Sequence, residues 1–374
     1  MKRVATLLTF VVALGLAVSL SAAFSPQQAT PETTTTARTS APSESTSSSI
    51  VATVAALQPI SAPPTPGAPA RRSQDGTPTS LQAPTTSSTA LEALLVPDTD
   101  VTTTATREAI QKASSDAPVL YEDGCHLGWS GVTPKHCVFG DPSSQTTIVL
   151  TGDSHAAHWF GALEVAAIAN NWRLIPVTKS GCPAADVSIY SSEPSNKGKH
   201  VAYEACVVWR KAAQEYIRSL KPALVVFPML SRRDLIGKSG QASLDAWRDG
   251  IAASIRATTV GSSKALVISD TPKTSGDNVP ACLATHMADQ QLCSTSRSVA
   301  VLQDRIDAER SGAALAGAYF SDISGWICSA TTCGAVVDGI VAYRDEHHLT
   351  DSFSRAKGPR MALVIQTVLG SLPS

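Results

Sequence analysis

Charge is scarce in this 374-residue chain: 16% of its residues are Asp, Glu, Lys or Arg, and the formal net charge is −1. That removes the electrostatic footprint of a nucleic-acid binder or of a protein that docks on an anionic membrane surface. From Ser25 to about Thr89, large apolar residues are nearly missing. Ser, Thr, Pro and Ala fill the segment, in tracts such as Thr33-Thr34-Thr35-Thr36 and Ala62-Pro63-Pro64-Thr65-Pro66. Such a stretch cannot bury enough surface to offset its ordering entropy. Also missing is any C-x-x-C spacing, and Cys328-x-x-x-x-Cys333 stands too isolated to form a zinc ligand set. No metal and no cofactor is expected.

What the N-terminus does contain is ordered. Met1-Lys2-Arg3 is basic, Val4 to Leu20 is uncharged and mostly apolar, and Ser21-Ala22-Ala23 offers a cleavage site before Phe24. This is the layout of a secretory signal peptide. The apolar stretch is also close to the lower limit for a spanning helix, so residues 1–23 read as a signal peptide or as a single membrane anchor. Either places the remainder outside the cytoplasm, secreted or tethered. Residues 24–90 read as an extended tether, open to glycosylation, that holds the next domain away from a membrane or through a wall layer.

All eight cysteines follow the tether. An even number in an exported chain argues for disulfides. Proximity alone suggests Cys125–Cys137, Cys182–Cys206, Cys282–Cys293 and Cys328–Cys333.

Residues 91–374 read as one domain, beginning between about Leu91 and Ala117. Thr147–Leu150 is a buried strand, followed by a helix through Trp159, Leu163, Ala166 and Ile168. Arg173–Val177 is a second strand. Cys206, Trp209, Ala213, Ile217 and Leu220 have helical spacing, stopped by Pro222. Ala223–Phe227 is a third strand, Leu244, Trp247, Ile251 and Ile255 another helical stripe, and Ala265–Ser269 a fourth strand. Val299, Leu302 and Ile306 mark a further helix, and Ala318–Phe320 a short fifth strand. This alternation indicates an α/β fold with a parallel sheet and helices on both faces. Chemistry in such sheets lies at the carboxyl ends of the strands.

Gly152-Asp153-Ser154-His155 falls at that place, on a strand-to-helix turn. Serine is a weak nucleophile at neutral pH and needs a base, which itself needs an orienter. Asp345-x-x-His348 supplies both if its residues share one helical turn. His348 would take the Ser154 proton, and Asp345 would hold the imidazole tautomer. The Ser154 backbone N–H, free at a helix start, would form an oxyanion hole, with Gly181 as second donor. Asp153, His155 and Arg232 are site-lining candidates, although a structural role competes for His155 and a surface role for Arg232. His158 reads as a structural histidine, and His347, one residue out of register for Asp345, as a solvent or wall contact. Tyr343 and Arg344 read as strand-end packing, with substrate contact as the alternative.

Val149 to Trp159 (VLTGDSHAAHW), Ser180-Gly181-Cys182-Pro183, Thr271-Pro272, Cys282-Leu283 and Tyr343 to Thr350 (YRDEHHLT) together resemble the SGNH domain of the acyltransferase-3/SGNH family. Tyr121 to His126 and Cys137 to Asp141 resemble the lead-in to that domain. The resemblance covers about Leu91 to Ser374. It implies a three-layer, flavodoxin-like SGNH fold and a Ser-Asp-His site that handles acyl esters. In that family the domain usually follows a multi-span membrane acyltransferase and acylates cell-envelope glycans or glycolipids.

Two departures stand out. Only one apolar stretch is present, so the acyl donor would come from a separate membrane acyltransferase or a soluble ester. Many SGNH enzymes also carry an oxyanion Asn after the third strand, where this chain has Phe227-Pro228-Met229-Leu230-Ser231-Arg232-Arg233. The leading expectation is an exported O-acyltransferase, acetyl by preference, acting on a carbohydrate or glycolipid hydroxyl. A secreted esterase with the same triad is the rival, and a non-catalytic envelope-binding module a third reading.

Overall fold

A computed structural model describes residues 100–370. The segments read as signal peptide or anchor and as tether, with the first residues of the 91–374 domain, lie outside that range.

The apolar runs assemble a seven-stranded sheet. Its body is parallel: β1 (Thr147–Gly152), β2 (Arg173–Lys179), β3 (Leu224–Pro228), β4 (Lys264–Ile268) and β5 (Tyr319–Ser321). These lie in the order β2-β1-β3-β4-β5, the flavodoxin-like doubly wound order. Two short ribbons finish the β2 edge, His126–Leu127 parallel to it and Phe139–Gly140 antiparallel.

Among the helices of the described residues are α1 (Ser154–His158), α2 (Phe160–Ala169), α3 (Glu204–Leu220), α4 (Gly240–Thr258), α5 (Gln303–Leu315), α6 (Asp351–Ala356) and α7 (Gly358–Leu369). Strand alternation sorts the core into two halves. Ile148, Leu150, Leu174, Val226 and Leu266 pack with Phe160 and Leu163 of α2 and Met361 and Ile365 of α7. Val149, Ile175, Val225, Phe227 and Val267 pack with Trp209 of α3, Trp247 and Ile251 of α4 and Ala308 of α5. Because both faces are covered, every residue of β1 and β3 is buried, and the strands read as continuous apolar runs. Trp209 and Trp247 are nearly fully buried. Each removes roughly 200 Å² from water, an upper value on the order of 5 kcal/mol.

The stripe Val299, Leu302 and Ile306 does not form one helix. Val299 lies in the separate turn Arg297–Ala300 and is exposed, Val301 is extended, and α5 starts at Gln303. The spacing fitted by coincidence, because the break comes from backbone conformation at Val301 and not from a proline or glycine.

All four sequence-neighbour disulfides are present, and no cysteine is free. Cys182–Cys206 ties the turn after β2 to the first turn of α3. Four closed bridges belong to an oxidising, extracytoplasmic compartment. Among the described residues, no helix is long and apolar enough to cross a membrane.

The β1–α1 junction depends on Gly152. Its φ is 149°, and a Cβ there would stand 2.4 Å from the Pro228 carbonyl oxygen and 2.9 Å from the Ala156 Cβ. A side chain would therefore be strained in the backbone and would push β1 away from β3. Gly152→Ala is expected to cost about 2 kcal/mol or more, read as a lower denaturant midpoint at unchanged m-value; a wild-type midpoint would contradict this packing.

Candidate active site

The junction sits at the point where β1 has β2 on one side and β3 on the other, the crevice of a doubly wound sheet. Asp153 caps α1: its carboxylate accepts from His155 N at 2.9 Å and from Leu230 N, in the loop after β3, at 3.1 Å. The side chain is fully buried, so it braces the turn and does not line the cleft. Ser154, the first helical residue, is partly exposed, and its N–H lies outside the intrahelical ladder.

Ser154 Oγ lies 2.8 Å from His348 Nε2, and His348 Nδ1 lies 2.7 Å from Asp345 Oδ2. The three residues picked from sequence therefore form one hydrogen-bonded line. The segment that carries Asp345 and His348 is not a helical turn, as the spacing suggested. It is a bend closed by the antiparallel bridge Tyr343–Leu349. Asp345 Oδ1 folds this bend by accepting the amides of His347 (2.8 Å) and His348 (2.7 Å). Local side-chain-to-backbone bonds of this kind displace regular helix. Leu349 N donates to His158 Nδ1 at 3.4 Å, so His158, fully buried, anchors the bend from behind. Tyr343 is buried, with its hydroxyl donating to Pro272 O, and Arg344 reaches Tyr121, so both pack and brace.

The charges are arranged for a neutral base. Burial pushes the Asp345 carboxyl up, but the hydrogen bond and charge of His348 and the two amides outweigh it and hold Asp345 well below the usual range. Burial lowers His348 from its ordinary 6.5 against the raising pull of the Asp345 hydrogen bond. His348 is therefore a free acceptor for the Ser154 proton at neutral pH.

Gly181 lies in the turn after β2, where Thr178 is level with Gly152 across the ladder. Its φ is 61°, and Trp129 ring carbons occupy the place a Cβ would take. Lys179 holds that Trp in position: its ammonium donates to the carbonyls of Gly128, Trp129 and Gly131 at 2.6–2.7 Å. Burial lowers this ammonium to about 8. Where an oxyanion Asn was missing after β3, the loop does other work. Leu230 N holds Asp153, while Ser231 N and Oγ hold Asp270. Arg232 is partly exposed and lines a small cavity with Ser231, Asp270 and Thr271.

Sequence reasoning missed a second Asp–His pair. His155 is buried, with Nδ1 2.6 Å from Asp270 Oδ1 and Nε2 3.0 Å from His347 Nδ1. His347 is thus no bystander; its ring centroid lies 3.9 Å from that of His348. Asp270 directly follows the strand expected at Ala265–Ser269, and that position at the carboxyl end of β4 was the available signal. Nitrogens of His155, His347 and His348 converge within 4.8 Å, the spacing of a candidate metal group among the described residues. Two are already hydrogen-bonded to each other and the third serves Ser154, so a divalent ion would have to displace the Ser154–His348 bond.

A family model described as the SGNH domain (fused to AT3 domains) matches residues 120–362. The chain belongs to this family. The match includes Ser154, Asp345 and His348, and the sheet order agrees with the SGNH fold. Among solved structures, this SGNH domain is similar to the periplasmic domain of a Salmonella ser. Paratyphi A lipopolysaccharide acetyltransferase, with 13% identity, a TM-score of 0.45, and coverage of 78% of this chain and 97% of that one. It is also similar to a Corynascus thermopiles (Myceliophthora fergusii) carbohydrate esterase family 2 enzyme with its carbohydrate binding domain, with 15% identity, a TM-score of 0.36, and coverage of 61% and 68%. A comparison with curated proteins finds no match.

His348 must be neutral to accept the serine proton, and its pKa is lowered. Any ester cleavage that uses His348 as its base should therefore persist as pH falls through 6.5, with the acid limb of kcat/KM centred below that value. A limb centred above 6.5 would contradict the electrostatics of the site.

Proposed function

We propose that the chain is an exported O-acyltransferase, acetyl by preference, that modifies a carbohydrate or glycolipid hydroxyl of the cell envelope through an acyl-Ser154 intermediate. The observation that carries this reading is the line Ser154–His348–Asp345 at the free amino end of α1. His348 Nε2 takes the Ser154 proton as Oγ attacks the acyl carbonyl. The oxygen that gains charge is received by the Ser154 N–H, with Gly181 N–H as second donor. Collapse expels the donor alcohol, protonated by His348. The acceptor hydroxyl then gives its proton to His348 and attacks the acyl carbon, and Ser154 leaves with that proton.

The acyl group comes from a separate membrane acyltransferase or a soluble ester, and the N-terminal segment secretes or anchors the chain. Hydrolysis is the second reading. The His348 side chain is 17% exposed, so water reaches the acyl-enzyme and competes with the glycan hydroxyl. A binding module that retains the fold would show no turnover at all.

Purified protein and its Ser154→Ala variant should be given p-nitrophenyl acetate with and without glycan acceptors. The variant is expected to lose roughly ten-thousand-fold or more of the turnover. An acylated glycan supports transfer and free acetate alone supports hydrolysis. Turnover that survives in Ser154→Ala removes the serine mechanism.

A further inference from the structure

The Asp270 side chain is 7% exposed, and its carboxylate is occupied on both oxygens. Oδ2 accepts from Ser231 N (2.9 Å) and Ser231 Oγ (3.1 Å), and Oδ1 accepts from Thr271 N (2.8 Å) and faces His155 Nδ1 at 2.6 Å. Burial pushes this carboxyl up, but its pairing with His155, the nearby Arg232 and the Ser231 N–H outweigh it and hold it at about 2. Ionised, it can only accept, so His155 Nδ1 carries a hydrogen. With its ring hydrogen placed on Nδ1 by Asp270, His155 presents Nε2 as an acceptor. The group 3.0 Å away, His347 Nδ1, must donate to it. His347 is itself held neutral, at about 3, first by burial and then by its imidazole neighbours. Its one hydrogen is used on Nδ1, which leaves Nε2 with a lone pair.

No hydrogen-bond partner among the described residues reaches His347 Nε2, and it is not one of the fully buried unpartnered atoms. The residue is partly exposed, and its ring lies against that of His348, the base that serves Ser154. The open side of the site therefore holds two imidazoles whose polarity is set by two separate carboxylates, Asp345 for His348 and Asp270 for His347. One of them is engaged in the serine mechanism and the other is not.

We propose that His347 Nε2 is a binding group for the acyl acceptor, taking a hydrogen bond from a hydroxyl adjacent to the one that reacts at His348. The inference rests on the acyl-enzyme reading and deepens it by naming the acceptor class: a polyol with neighbouring hydroxyls, as in a sugar ring. A monohydric alcohol has one O–H and can donate to only one of the two imidazoles at a time, whereas a vicinal diol can donate to both. The Asp270–His155 pair acts through His347 as a positioning pair.

Two measurements test this on the purified chain. Nitrogen-15 NMR of histidine-labelled protein should show His155 and His347 both protonated on Nδ1, with His347 Nε2 bare. A hydrogen on His347 Nε2 overturns the proposal. In a competition, p-nitrophenyl acetate is supplied with equal concentrations of trans-1,2-cyclohexanediol and cyclohexanol, and the ratio of the two acetate esters is read within each sample. That ratio does not depend on how much of a variant has folded. Wild type should favour the diol by about fivefold or more, the worth of one neutral hydrogen bond. His347→Phe should bring the ratio close to that of the free alcohols, and His347→Gln, which keeps an acceptor oxygen, should retain part of the preference. An unchanged ratio in His347→Phe overturns the proposal. So does an acetylated Ser154 that transfers to neither alcohol, whereas absence of any Ser154 adduct would sink the acyl-enzyme reading itself.

Discussion

Asp153 is the point on which the two sides of the crevice converge. Its fully buried carboxylate accepts hydrogen bonds from the start of α1 and from the loop after β3. Beside it, Gly152 lets β1 approach the Pro228 carbonyl closely enough for both bonds to form. Burying a carboxylate is costly unless amides satisfy it, and here the amides belong to two different segments. The helix start, the serine and the β3 loop are therefore fixed relative to one another. The position of Ser154 follows from that bracing.

Around this junction the chain builds two parallel carboxylate–imidazole pairs. Asp345 folds its own bend and orients His348 toward Ser154. Asp270 is held by Ser231 and orients His155 toward His347. The loop after β3 thus supports the second pair through Ser231 and the Ser154 turn through Leu230 and Asp153. The β2 side is braced separately, by Lys179 under Trp129 and by the Cys182–Cys206 bridge. Each wall of the site is tied down by a buried polar group with two or more partners, and such satisfied networks rigidify a core.

Much of this was legible in the sequence. The strands at Thr147 and Ala223 stood out because a sheet covered on both faces needs unbroken apolar runs. The disulfide partners were sequence neighbours because each bridge closes a local loop, with sequence separations of 12, 24, 11 and 5. Ser154 and His348 were chosen from position and spacing, and the fold brings them within hydrogen-bond distance, with Asp345 reaching His348 through a bend and not a helix. What stayed hidden depended on tertiary approach. Asp270 looked like the end of a strand until β4 brought it beside His155, more than a hundred residues earlier. His347 looked out of register because only Asp345 was considered as its partner. The α5 start was misread at Val299, where periodicity continued across a backbone break.

The central claim is that Ser154 carries the acyl group. The most direct test quenches the purified protein during turnover of an isotopically labelled acetyl ester, digests it, and locates the label by mass spectrometry. The account predicts the label on the peptide that contains Ser154, discharged when acceptor is added. Label on another residue, or steady turnover with no labelled peptide at any quench time, would contradict it.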